Sequence, residues 1–453
     1  MTIETILKSH EGKALEFKEN LNSKEKFLAT IIAFSNTAGG KIILGIDDKT
    51  RYIVGIEDPH LLEERISNLI SDSVEPLIVP NIEIIPWRDT HVVLAEIYPS
   101  SNRPHYLKKK GIEVSTYVRV GSTNRVADRE LIETLKRSVR SKTFDEELCF
   151  TANEEDINID LITELFKPHR KVKESDLYTL DILSKDQNHP MPTNGGVLLF
   201  AQDREKYFPD AWIQAGRFQG KDKAYIIDNY EIRDPLPLAI EQGVNFVRKH
   251  INVGYTIKEL KHEEAWAVPK IAIREAIINA ILHTDYSFSG APIRISIFDD
   301  RIEIENPGLL PVGITLDDIK SGVSKIRNRV IARVFRELQL IEKWGSGIQR
   351  IIRSCQEAGL PAPSFKEIGN RFRITFYTQK IAEVKLEKIE IDIIDLLKKH
   401  DSLSTHTLAT SLSLSQKTVR SHLIKLLEKG KVIELARSVN DPQKKYIFAG
   451  EDI

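Results

Sequence analysis

Asn279 follows Glu275 by four residues in the run Arg274-Glu275-Ala-Ile-Ile-Asn279-Ala-Ile-Leu-His283. On a helix, that spacing puts both side chains on one face. A carboxylate and an amide so placed can polarise a water and hold Mg2+ on a triphosphate. Downstream lie Glu305-Asn306-Pro307-Gly308 and Trp344-Gly345-Ser346-Gly347-Ile348. A glycine-rich turn that opens a helix is a phosphate cradle, because its bare backbone N–H groups face the anion. The same residues also fit a degenerate domain with a purely structural role. Near the end of the chain, Lys417, Arg420, His422 and Lys425 share one side of a helical pattern whose other side is Val419, Leu423, Leu426 and Leu427. Between 415 and 431, Lys417, Arg420, Lys425, Lys429 and Lys431 face a single acid, Glu428. A helix of this kind suits the major groove of DNA. The alternative for the same pattern is a three-helix packing or dimerisation module.

The elements that position these residues follow from apolar spacing and turn chemistry. In the first 140 residues, Leu15–Lys18 reads as a strand and Lys26–Phe34 as a helix. Lys41–Ile46 and Tyr52–Ile56 read as a hairpin around Asp47-Asp48-Lys49-Thr50. A helix over 61–70, strands over 82–85, 92–97 and 117–120, and a helix over 128–139 capped by Asp128 complete that region. The next part, 141–263, carries an apolar run at Val197–Phe200, a strand at 212–218 and a helix at 237–253, with no chemistry to assign. Over 264–380 the spacing predicts a helix at 269–282, paired strands at 293–298 and 301–305, a basic helix at 324–338, a helix at 347–356 and a strand at 372–376. The last part, 386–453, predicts helices at 386–399, 405–412 and 416–429, the last capped by Ser415, and two strands at 431–435 and 445–448.

The chain has 453 residues, 41% hydrophobic and 29% charged, with a formal net charge of −1. These values fit a packed protein of three or four domains at roughly 100–200 residues each. Because the charges cancel, any contact with nucleic acid must rest on local basic patches. Two isolated cysteines, Cys149 and Cys355, give neither a disulfide framework nor a metal motif, which fits a reducing cytoplasm. Neither a signal peptide nor an apolar run of about 20 residues is evident, so no membrane role is expected.

Residues 264–380, with Glu275, Asn279, Asn306-Pro307-Gly308, Gly345 and Gly347 in order, resemble the GHKL ATPase fold shared by gyrase and histidine kinases. That resemblance implies ATP with Mg2+ as cofactor, Glu275 as general base of an ATPase, and Asn279 as a metal ligand. It also implies contacts to the nucleotide from Asn306, Gly308, Gly345 and Gly347. Asn306 stands where the family carries an aspartate for adenine.

The stretch Glu11-Gly-Lys-Ala-Leu-Glu16-Phe17-Lys18, the turn Phe34-Ser-Asn-Thr-Ala-Gly39-Gly40 and the run Gly45-Ile-Asp-Asp48 resemble the Schlafen AlbA_2 (divergent AAA-4) domain over 1–140. For a nuclease of that family, the resemblance implies a divalent metal, Mg2+ or Mn2+, on Glu11, Glu16 and Asp48. Arg103, Lys108, Lys109, Lys110, Arg119 and Arg125 supply cations nearby in sequence, and Tyr106 can stack on a base. Residues 386–453 resemble a winged helix-turn-helix, with Lys417, Arg420 and Lys425 toward nucleic acid.

The expected fold class is therefore a multidomain α/β (α+β) chain. It comprises an AlbA_2 α/β domain, a connecting α/β region, a GHKL-like α/β sandwich and a C-terminal winged helix. The order of parts resembles a bacterial and archaeal family of transcriptional regulators also described as RecG-helicase-related. The helicase description finds no support, since no Gly-x-x-x-x-Gly-Lys-Ser/Thr loop is present. The expectation is a cytoplasmic DNA-binding regulator with an ATP site, at least dimeric because such regulators bind paired half-sites. The alternatives are a metal-dependent ribonuclease that cuts tRNA or rRNA, and a non-catalytic scaffold.

Overall fold

A computed structural model describes residues 3–8, 11–140, 142–251, 253–258, 261–341, 346–379 and 386–450. The chain is a mixed α/β protein that divides into two compact units: Met1–Ala127 together with Ala382–Ile453, and Asp128–Ile381.

The first unit is built on a four-stranded sheet in the order Leu15–Lys18, Gly40–Leu44, Thr90–Ile97, Asn81–Trp87. The first pair is parallel and the other two are antiparallel. Alternate residues of the inner strands point to opposite faces, and both faces are covered. Ile42, Leu44, Val93 and Ala95 pack with Phe27, Ile31 and Ile32 of the helix Lys24–Asn36 and with Ile66 and Ile70 of the helix Pro59–Ser73. Ile43, Val92 and Leu94 face a second core with Ile3, Phe17, Trp87 and, from the far end of the chain, Leu435 and Ile447. Burial on both faces explains why Lys41–Ile46 is a near-continuous apolar run rather than an alternating one. The hairpin expected over 52–56 does not form. Leu15–Lys18 and Thr90–Ile97 take both edges of Gly40–Leu44, so residues 52–56 make only single bridges, Ile46 to Ile53 and Ile56 to His91.

The C-terminal residues of this unit form the helices Lys388–Lys399, Thr405–Leu412 and Gln416–Glu428 and the sheet Leu403–Ser404, Lys445–Phe448, Val432–Leu435. Ser413 takes a left-handed φ of 54° in the turn between the last two helices. Ser415 accepts a hydrogen bond from the Thr418 amide at 3.1 Å, which is the expected cap. Ile393, Leu408, Val419, Leu423 and Tyr446 make the core of this part. The two strands of the wing feed two cores: Val432 and Tyr446 face the helices, while Leu435 and Ile447 enter the N-terminal sheet's second core. Polar contacts add to this docking. Arg88 pairs with Asp441 at 2.8 Å and donates to the Gln443 carbonyl, Arg437 pairs with Asp89, and the Ile53 amide donates to the Ala436 carbonyl.

The second unit holds a six-stranded sheet in the order Ile226–Ile232, Ile213–Phe218, Ile293–Ile297, Arg301–Pro307, Arg371–Tyr377, Ser364–Ile368. Only Ile213–Phe218 and Ile293–Ile297 run parallel. The helices Leu236–His250 and Lys270–His283 cover one face through Val244, Ile273, Ile277 and Ile281 against Ile295, Ile304 and Ile374. Asp128 caps the helix Arg129–Val139 by accepting from the Leu131 amide at 2.8 Å. The apolar run Val197–Phe200 lies in a helix, Asn194–Phe200. The basic helix expected at 324–338 is shorter, Arg329–Glu337. Side-chain bonds hold the segment before it out of the helix. Asn328 Nδ2 donates to the Leu282 and Thr284 carbonyls at 2.9 and 2.8 Å, and Arg327 pairs with Asp285 at 2.9 Å. The buried Asp145 carboxylate then accepts the amides of Arg329, Val330 and Ile331, three of the donors that a helix start leaves open.

Candidate functional site

A cavity of about 410 Å3 lies in the second unit. Glu275, Asn279 and His283 line it from successive turns of one helix, as their spacing requires. Asn306 and Gly308 reach it from the end of the strand Arg301–Pro307, and Gly347 from the start of the helix Gly347–Glu357. Five residues singled out from three separated motifs thus meet at one place. Gly345 lies outside the described residues.

Several details suit an anionic ligand there. Asn279 lines the cavity, and its buried Nδ2 is a donor with no hydrogen-bond acceptor. A Cβ at Gly347 would meet Glu275 Oε2 at 2.8 Å and Asn279 Nδ2 at 3.4 Å, so both side chains lie close against the start of this helix. Gly308 takes a φ of +100°, and a Cβ there would meet the Asp285 Cβ at 2.9 Å. Lys325, Arg336 and Arg350 line the same cavity, with Lys325 Nζ donating to the Val312 carbonyl. Glu275 is engaged: Arg350 Nη2 lies 3.0 Å from its Oε1. Asn306 is buried, its Nδ2 donating to the Pro307 carbonyl. Burial, and then the charge of Arg327, push the His283 imidazole down to about 4, so it is neutral at physiological pH. Sequence reasoning missed the roles of Arg350, Asp285 and Arg327. The available signal for Arg350 was its position three residues after Gly347, on the same helical face.

Glu11 Oε1 accepts from the Phe17 amide at 2.7 Å. Glu16 is held by Lys18 at 2.7 Å and by Arg119 at 2.5 Å. Asp48 is exposed on the turn after the sheet strand. Arg51, stacked over the Phe17 ring, feels both Glu11 and Asp48. Among the described residues, one group of three side chains brings its metal-ligand atoms within 4.8 Å of one another, and it is Glu387, Glu390 and His422. The ligand atoms of Glu11, Glu16 and Asp48 do not all come that close together.

The expected nucleic-acid contacts also separate. Arg119 is 1% exposed and also donates to the Gly12 carbonyl and Asn124, so it is an internal cation rather than a surface one. Lys108, Lys109 and Lys110 are exposed on a turn, but Lys108 donates to the Ser71 carbonyl and Lys110 pairs with Glu25. Arg103 is half-buried, and burial lowers its pKa. On the helix Gln416–Glu428, Lys417 and Arg420 are exposed and pair with no described acid. Lys425 is exposed but pairs with Glu387 at 2.6 Å. His422 is buried, which corrects its expected place on the basic side.

Three regions match known families. Residues 11–128 match the Schlafen AlbA_2 family, residues 290–376 the family described as "ATP-dependent DNA helicase recG C-terminal", and residues 391–436 the DeoR-like helix-turn-helix domain. An uncharacterized ATP-binding protein of Ureaplasma parvum serovar 3 is 34% identical over 98 residues, which are 21% of this chain and 26% of the relative. The chain thus spans about a quarter of that relative's length. Among solved structures, the DIP2311 protein of Corynebacterium diphtheriae aligns with 96% of this chain and 92% of its own, at 18% identity and a TM-score of 0.45. The N-terminal domain of a RecG-related protein from Nitrosomonas europaea aligns with 28% of this chain and 94% of its own, at 19% identity and a TM-score of 0.23. No helix among the described residues is long and apolar enough to cross a membrane.

Proposed function

We propose that this protein is a DNA-binding regulator whose affinity for DNA depends on a nucleotide, ATP, held in the cavity of the GHKL-like region. The observation that carries the reading is the meeting of Glu275, Asn279, Asn306, Gly308 and Gly347 around one cavity, with the buried Asn279 Nδ2 lacking an acceptor. That cavity is the right size for a small ligand, since such sites run to about 300–1,000 Å3. The ATP-binding description of the Ureaplasma relative supports the same reading.

A bound triphosphate would supply the negative charge that the site lacks. Asn279 Nδ2 would donate to it, and the first amides of the helix Gly347–Glu357 would face it. With Mg2+ present, Asn279 Oδ1 would be the residue's metal-facing atom. Asn306 and Gly308 would border the base. Glu275 is paired with Arg350, so it is not a free base; we read the site as one that binds nucleotide and turns it over slowly. Lys417 and Arg420 on the DeoR-like recognition helix would contact DNA. In the AlbA_2 region the ion pairs on Glu16 favour binding over cleavage of nucleic acid.

The test uses the full-length chain, a fluorescent ATP analogue with Mg2+, and a labelled DNA duplex. Asn279→Ala should weaken binding of the analogue by at least about tenfold, the cost of losing one charge-assisted hydrogen bond. Saturating ATP should shift DNA affinity in wild type but not in this variant. DNA affinity unchanged by ATP in wild type would sink the coupling. Cutting of tRNA with Mn2+ by wild type and not by Glu16→Ala would restore the ribonuclease reading.

A further inference from the structure

The winged-helix part holds a group of side chains that DNA binding does not use. Glu387 caps the helix Lys388–Lys399, and Glu390 stands on its first turn. His422 comes from the recognition helix Gln416–Glu428. The metal-ligand atoms of all three lie within 4.8 Å of one another. His422 Nδ1 is 3.8 Å from Glu387 Oε2 and 4.0 Å from Glu390 Oε1.

Which atoms are already satisfied is informative. Glu387 Oε1 is held by Lys425 at 2.6 Å. Glu390 Oε2 is held by Lys429 at 2.8 Å and accepts the Glu387 amide at 3.0 Å. In each carboxylate one oxygen is fixed and the other faces His422. Glu390 is fully buried, yet its Oε1 has no hydrogen-bond partner, and neither does the buried His422 Nδ1. Two buried polar atoms left unpaired at the same spot call for an explanation. A direct hydrogen bond between them would need about 3 Å. The observed gaps suit atoms that share an ion, since ligands about 2.1 Å from a tetrahedral centre sit about 3.4 Å apart.

We infer that Glu387, Glu390 and His422 form a binding site for a divalent transition-metal ion of the zinc class. One imidazole nitrogen and two carboxylate oxygens suit Zn2+ or Co2+ better than Mg2+ or Ca2+, which favour all-oxygen shells. Glu387 is 56% exposed, so its side is the entry path and the place for a water as fourth ligand. Lys425 and Lys429 orient the carboxylates from behind, as outer-shell partners do. The ion would tie the first helix of the winged-helix part to the recognition helix.

The test is metal binding by the full-length chain after stripping with a chelator. Titration calorimetry with ZnCl2 should give a tight binding event that weakens at least about tenfold in Glu390→Gln and in His422→Gln, the loss expected when a ligand is removed. Zinc should raise the melting temperature of wild type and not of these variants. Co2+ added to His422→Cys should produce a thiolate-to-cobalt absorption band absent from wild type. That band decides the matter even if the glutamine variants fail to fold. No zinc binding by wild type, equal affinity in wild type and both folded variants, or no thiolate band would each overturn the site.

Discussion

At the scale of single residues, His283 gives the clearest pH dependence. Unfolded, its imidazole takes up a proton near pH 6.5; folded, burial and Arg327 lower that to about 4. Between those values the unfolded chain binds more protons, so stability falls as pH drops from about 6.5 toward 4 and is fully present above. Urea unfolding of the second unit at pH 7 and pH 5 should show this loss, and His283→Gln should flatten it; an unchanged slope in the variant would reject the assignment. Arg119 makes a different prediction. Removing it leaves the half-buried Glu16 with Lys18 alone and opens a space where the buried guanidinium sat, so Arg119→Ala should destabilise the first unit by about 2 kcal/mol, with little effect on DNA affinity. A DNA-binding loss without a stability loss would return Arg119 to the surface role first expected of it. The sequence named Glu275 and Asn279 because helical spacing is local. It could not tell Arg119 from a surface cation, since only packing of the strand Tyr117–Val120 against the helix Lys24–Asn36 reveals that it is internal.

At the scale of elements, the recognition helix presents Lys417 and Arg420 outward while Lys425, Lys429 and His422 turn toward Glu387 and Glu390. Each free cation that reaches a phosphate adds about one to the salt dependence of binding. Lys417→Ala with Arg420→Ala should therefore cut DNA affinity and reduce the salt slope by about 2, whereas Lys425→Ala should change the slope less. Anisotropy over a salt series measures this, and equal effects from all three would contradict it. The helices of this part were legible almost to the residue, because caps such as Ser415 and periodic leucines are written locally. The supposed hairpin at 52–56 and the helical reading of 324–328 failed for the opposite reason. Both edges of Gly40–Leu44 are taken by other strands, and side chains anchor the second segment to the end of the Lys270–His283 helix.

At the scale of the molecule, the last strands of the chain complete the core begun by the first. Leu435→Ala should destabilise the first unit by about 3 kcal/mol, typical for a buried leucine. Because the space opened by Leu435→Ala falls in a core shared by the N-terminal sheet and the wing, near-ultraviolet signals from Trp87 and from Tyr446 should melt together in wild type and variant alike. Separate transitions would argue that the wing is merely resting on the sheet. This sharing was hidden in the sequence, where Leu435 and Ile447 look like ordinary inward residues of a small hairpin. The consequence reaches into synthesis. Ile43, Val92 and Leu94 leave the ribosome roughly 350–400 residues before Ile447, a delay of about 20–80 s at ~5–20 residues per second. During that interval a greasy sheet face stands open, so newborn chains stalled before residue 432 should be the ones that chaperones hold and proteases clear.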